Sequence, residues 1–262
     1  MMQPLVYIML ALIPAFMLLD VFYQARRYSP FRFWRVRATL ITIAVILIID
    51  NADLFWFWLL GEFSLFNLSQ TPFIYSVTIA LFTYELLHYA YHRLAHRWYW
   101  LWRAGHQMHH SAESLDAFGA FYLHPVDAFV FSSWTTLVFY PLLGMSSDAA
   151  ISCTLFLTFN AMFQHANIRT PRWLGYIIQR PESHQYHHGR DIKRCNYANL
   201  PVIDLIFGTF YNPDNTATDS IECGLFQGAS TRLLDMLFFR DIKRDTLDMK
   251  KKSSAKPVKQ AA

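Results

Sequence analysis

The chain is short of charge, glycine and cysteine, and each shortage closes off a class of protein. Of 262 residues only 16% are charged, 9 are glycine and 54% are hydrophobic, whereas soluble domains average about 25% charged residues. An ordinary solvated surface is therefore hard to build. The three cysteines, Cys153, Cys195 and Cys223, form no CxxC and make neither a disulfide framework nor a zinc knuckle. They fit a reducing, cytoplasmic face. There is no internal repeat and no long Gly/Ser linker. Basic runs exist, with five arginines between Arg26 and Arg37 and seven Lys/Arg between Lys243 and Lys259. No recognisable nucleic-acid motif accompanies them. A membrane surface is the better partner, and no nucleic acid is expected.

What is abundant is aromatic and apolar. Aromatics reach 17%, with 23 Phe, 14 Tyr and 8 Trp, a profile suited to helices in a bilayer, where Trp and Tyr collect at the interfaces. About five apolar stretches approach the length needed to cross a hydrocarbon core of roughly 30 Å. They run over 4–23, 38–60, 72–91, 119–142 and 149–166. The first lacks a basic n-region and an A-x-A-like cleavage site, so it reads as a span, not a signal peptide. The second carries Asp50, Asn51 and Asp53, which must face protein or a polar interface. Lys and Arg crowd 24–37, 92–118 and everything after residue 168, and are absent from 61–71 and from 144–148. The positive-inside rule then places the amino terminus outside and the carboxyl-terminal half in the cytoplasm. The expected fold is all-α: a polytopic membrane protein of four to five spans with a cytoplasmic helical cap. Residues 1–240 read as one domain and 241–262 as a basic, solvated tail.

All 11 histidines lie between His88 and His188. Three clusters hold most of them: His88-x₃-His92-x₃-His96, His106-x₂-His109-His110 and His184-x₂-His187-His188. On the expected topology every histidine falls on the cytoplasmic side. Imidazole suits iron, copper, zinc and nickel, and spacings of three and four residues align side chains on one helix face. An isolated His pair at that spacing is often only a polar face. Two copies of HxxHH are hard to explain by packing. Adjacent histidines sit about 100° apart around a helix, so His109 and His110 can face different metals of one site. Pro181 resembles a helix start and Gly189 a helix stop. His165 reads as a ligand. His124 reads either as a further ligand or as a residue that hydrogen-bonds a ligand imidazole. The clusters hold few carboxylates, and Glu85 and Asp191 are the acids expected to support the ligand rings and balance their charge.

At these clusters the sequence resembles the fatty acid hydroxylase/sterol desaturase superfamily. The matching residues are Glu85 followed by His92-Arg93-x₂-His96, then Leu101-Trp102-Arg103-x₂-His106-x₂-His109-His110-Ser111. His124-Pro125, Gln164-His165-x-Asn167, Arg172-Trp173-Leu174, His184-x₂-His187-His188-Gly189, Asn196-Tyr197 and Asp204 to Phe210 follow in order. The match covers roughly residues 75–215. The resemblance implies an integral-membrane oxidoreductase with two non-haem iron ions. It would use O₂ and two electrons to attack an unactivated C–H bond of a lipid taken from the bilayer. By carry-over, His92, His96, His106, His109, His110, His165, His184, His187 and His188 are metal ligands, with His124 a further candidate and His88 not required. Zinc also suits such a site. With no haem-binding or iron–sulfur segment in the chain, the electrons are expected from a separate electron-transfer protein or reductase. Cationic loops favour an acidic donor. The histidines do not choose between hydroxylation and desaturation; hydroxylation is slightly favoured. Two other classes compete: a membrane metal transporter or sensor, which should run ionisable residues through the spans, and a zinc-dependent lipid hydrolase. A bacterial inner membrane, or the endoplasmic reticulum in a eukaryote, is the expected location.

Overall fold

A computed structural model describes residues 2–192 and 194–243. From residue 244 onward the expected tail lies outside the described residues. Among the described residues the regular structure is helical, without a strand; a single isolated antiparallel bridge joins Gly189 to Cys223. Three long helices come first: α1 (Met2–Phe22), α2 (Trp34–Leu60) and α3 (Phe73–Arg97). Next, α4 joins Tyr99–Leu101, the π-turn Trp102–His106 and Gln107–His109 into one helical run. α5 (Pro125–Leu137) continues as a π-turn over Val138–Leu142, and α6 spans Ser147–His165. The short helices α7 (Pro181–His188), α8 (Pro201–Ile206) and α9 (Leu233–Leu237) complete the chain. α1 packs on α6, α2 packs on α5, and α3 touches both α5 and α6.

Two helices, α1 over Leu5–Phe22 and α2 over Trp34–Leu60, are long and apolar enough to cross a membrane. Both turn apolar side chains outward, among them Leu10, Leu18, Leu40, Leu47 and Trp58. The core helix of a soluble protein would hide such residues. The helices at the other three expected positions are shorter or less apolar. The fourth begins at Pro125 rather than near residue 119, because His124 and Pro125 form a helix start: the His124 Nδ1 accepts from the Val126 N–H at 3.1 Å. The third runs on to Arg97, which carries His92 and His96 on the same helix as Glu85.

Of the polar residues of α2, Asp50 is exposed, exposed Asn51 donates to Leu47 O at 2.7 Å, and two others find partners on α5. Asp53 accepts a hydrogen bond from the Thr136 hydroxyl on α5, and the Trp56 indole donates to Ser133 Oγ at 2.8 Å. The arginines of the first connection depart from expectation. Instead of offering themselves to a membrane surface, three of them bind protein. Arg26 is buried and donates to Ile168 O and Thr218 Oγ1, Arg35 donates to Asp20 O, and Arg37 donates to Ser230 O. Arg26 and Arg37 anchor the helix connection to the second half of the chain, and Arg35 ties it back to α1. Asp20 completes the anchor by accepting from the Ala117 N–H at 2.6 Å and the Asn167 N–H at 3.0 Å. Beside it, Met17, Trp34, Met108, Tyr122, Met162 and Met236 share one buried cluster that joins the first helices to the last.

Candidate metal centre

Four elements converge on one buried region. α3 contributes His92 and His96, one turn apart. α4 contributes His106 from within its π-turn, then His109, with His110 capping the end. His165 is the last residue of α6, and α7 contributes His184, His187 and His188. These nine side chains form two groups, each with its ring nitrogens within 4.8 Å of one another. The first is His92, His96, His106, His110 and His187; the second is His109, His165, His184 and His188.

The two HxxHH segments divide in mirror fashion. His106 and His110, four apart on α4, join the first group while His109 joins the second; on α7, His184 and His188 join the second while His187 joins the first. Helical periodicity produces this split, since residues four apart share a face and the residue between them is rotated away. The groups meet where the His110 and His188 rings stack, 4.1 Å between centroids and 16° between planes.

Backbone and carboxylate acceptors fix how the rings present themselves. His92 Nδ1 donates to Tyr197 O at 2.7 Å, His187 Nδ1 to Cys195 O at 2.6 Å and His165 Nδ1 to Ala161 O at 2.8 Å. A carbonyl can only accept, so each Nδ1 carries the proton and each Nε2 turns a lone pair inward. His106 Nδ1 does the same toward Asp127 Oδ2 at 2.9 Å, while Asp127 Oδ1 accepts from the Tyr91 hydroxyl at 2.6 Å.

The inward nitrogens fit a cation. His96 Nε2 lies 3.1 Å from both His106 Nε2 and His187 Nε2, and His184 Nε2 lies 3.2 Å from His165 Nε2 and 3.1 Å from His188 Nε2. His92 Nε2 and His110 Nε2 are buried without a hydrogen-bond partner among the described residues. Burial and the surrounding imidazoles and guanidinium hold His109, His110, His184, His187 and His188 well below the ordinary histidine range. Neutral imidazole is the form that ligates.

The remaining candidates fall elsewhere. His124 is spent as the cap of α5, and His88 pairs with the Tyr84 hydroxyl at 3.3 Å; neither belongs to a group. Asp191 is not brought to the rings. Helix α7 ends at His188, the chain turns outward after Gly189, and exposed Asp191 accepts from Lys243 Nζ at 2.8 Å. Glu85 is buried but, among the described residues, hydrogen-bonds no imidazole. It accepts from the Asn199 and Leu200 N–H groups at 2.9 and 3.2 Å, and from Asn199 Nδ2. Its influence passes through the loop over 195–200, whose carbonyls hold His92 and His187.

Two carboxylates escaped the sequence reading. Asp127 is the acid that contacts a site histidine, and Asp204 accepts from the Tyr197 and Ala198 N–H groups at 2.9 Å each. Asp127 had a signal, an acid in the first turn after His124-Pro125. Asp204 had only its place in a recurring motif.

The model of the fatty acid hydroxylase family matches residues 77–209, a stretch holding all 11 histidines. The chain belongs to this family. Curated relatives include an ornithine lipid hydroxylase of Rhizobium tropici, 30% identical over 58% of this chain and 46% of its own length. An alkylglycerol monooxygenase of Homo sapiens is 35% identical over 47% of the chain and 28% of its own length. The corresponding Danio rerio protein is 34% identical over 50% and 30%. The chain thus spans less than half the length of these relatives. No solved structure matches it.

Proposed function

We propose that this chain is an O₂-dependent lipid oxygenase, integral to a membrane, with two iron ions held by the nine grouped histidines. One observation carries the reading: two adjacent all-imidazole groups, of five and four histidines, share the helices α4 and α7. Soluble di-iron bundles lean on glutamate ligands; here the acids sit behind the rings. Iron at such a site supplies the activation of O₂ that an unactivated C–H bond requires. One oxygen atom enters the C–H bond and the other leaves as water, with two electrons and two protons from a separate donor protein. Hydroxylation is preferred to desaturation because the relatives are named as a hydroxylase and monooxygenases.

The protein's own part is to hold the rings with their inward nitrogens turned to the centre. Tyr197 O, Cys195 O and Ala161 O orient three imidazoles, and Asp127 supports His106 with a charge-assisted bond. On the positive-inside argument the centre faces the cytoplasm. His109→Ala should lose metal and turnover yet remain folded in the membrane. Lipid mass spectrometry on aerobic cells expressing either form is the test. A lipid gaining one oxygen atom only with the intact, iron-loaded chain and a reductase is expected. Loss of two hydrogens would make it a desaturase, and full activity in His109→Ala would remove the site assignment.

A further inference from the structure

Beside the first histidine group lies a cavity of about 670 Å³ that the chemistry above does not use. His96 forms part of its wall together with Tyr197, whose ring centroid lies 5.5 Å from that of His96 and 5.5 Å from that of His92. Three guanidinium groups line it, from Arg93, Arg97 and Arg194, and among the described residues no aspartate or glutamate does. The charges are unevenly committed. Arg194 donates to His187 O and Gly189 O, and Arg93 donates to the Tyr89 hydroxyl at 2.8 Å. Among the described residues exposed Arg97 makes neither a hydrogen bond nor an ion pair. Asp204, behind the wall, is buried with its oxygens already accepting from Tyr197, Ala198 and Thr209. Asp204 lies within electrostatic reach of Arg93 and Asp191 within reach of Arg194, but neither lines the cavity, whose own lining carries positive charge only.

Its surroundings are apolar. On one side Leu205 and Ile206 of α8 and the adjoining Phe207 are exposed, and Trp173, Tyr176 and Ile177 are exposed on the turn that packs against α8. The Tyr176 and Phe210 rings join the two at 5.6 Å. A large exposed apolar patch beside a polar pocket marks an interaction surface, and a cationic pocket beside it selects what enters headgroup first.

We propose that this cavity takes the anionic headgroup of a lipid, a phosphate or carboxylate, on Arg93, Arg97 and Arg194, so that the carbon presented at His96 lies close to that headgroup. The assignment rests on the oxygenase reading for its chemistry but not for its binding. Calorimetric titration of the iron-loaded full chain in a neutral detergent tests it, with hexyl phosphate, hexanol and inorganic phosphate as probes. Hexyl phosphate should bind at least about tenfold tighter than either other probe. Arg97→Gln should weaken it about tenfold with metal content unchanged, and Arg97→Glu should abolish it.

Equal binding of hexanol would overturn the anionic requirement. Equal binding of inorganic phosphate would make this a free-phosphate site and overturn the lipid. An unchanged affinity in Arg97→Gln would place the probe elsewhere. Tight, Arg97-dependent binding without oxygenation of any lipid would fail the oxygenase reading and leave this one standing. Oxygenation of neutral lipids without hexyl phosphate binding would do the reverse.

Discussion

Gly105 decides how near Asp127 can come to His106. A Cβ at Gly105 would sit 3.0 Å from Asp127 Cβ and 3.2 Å from its Oδ1, inside ordinary contact distance. Gly105→Ala should therefore push Asp127 aside and loosen the bond to His106. Loss of such an outer partner typically costs about 10–100-fold in metal affinity. Chelator competition on Gly105→Ala and Asp127→Asn should show both retaining metal more weakly by factors of that size. Wild-type retention in both would mean that Asp127 does not hold the His106 ring. Eight of the nine histidines stood out in the sequence because His92-x₃-His96 and two copies of HxxHH together are hard to explain by packing, whereas His165 stood alone. Asp127 did not stand out, since its nearness to His106 arises from tertiary packing between α4 and α5. The misplacement of Asp191 has a local cause: sequence proximity to His188 means little once the helix ends at Gly189.

At the scale of elements, the helices that carry histidines follow from the sequence pattern, and the loop over 195–200 does not. Its contribution is made by backbone carbonyls, which leave no mark in a sequence. Asn196 sits at φ +57, and its side chain donates to Ser183 O and Tyr211 O and accepts from the Tyr211 N–H. Glu85 and Asp204 fix the loop's N–H groups from either side. Burial pushes the Asp204 carboxyl up from 3.8 to about 6, against the hydrogen bonds it accepts. The unfolded chain thus loses this proton first as pH rises. The group costs stability progressively between pH of about 4 and about 6, and the cost is constant above that. Thermal unfolding of wild type and Asp204→Asn across that range isolates the effect. The wild type should lose more of its midpoint than the variant, and parallel curves would contradict the assignment.

For the whole molecule, one buried ionic cluster ties the amino-terminal helices to the histidine-bearing half. Glu182, in the first turn of α7, pairs with Arg180 at 3.1 Å and with Arg26 at 3.3 Å, and accepts from the Thr170 N–H and hydroxyl. Glu182→Ala would leave buried Arg180 without a carboxylate and buried Arg26 with only the exposed Asp219 at 4.0 Å, a loss of about 3–5 kcal/mol for pairs of this kind. Its thermal midpoint in detergent should fall markedly, whereas Glu222→Ala, which breaks only the exposed pair with Arg190, should stay near wild type. The hydrophobic pattern announced an all-helical chain, and the family motifs announced its centre. The arginines of the first connection were read as facing lipid headgroups because composition reports charge and not burial. Only the fold shows that Arg26 is inside.

The mirror division of α4 and α7 also bears on the order in which the chain is made. Before α7 emerges, the first group already has four of its five imidazoles, whereas the second has only His109 and His165. A nascent or truncated chain ending short of Pro181 could hold a metal in one half of the centre but would lack half the ligands of the other. Both groups therefore wait for the last histidine helix, which brings one imidazole to the first and two to the second.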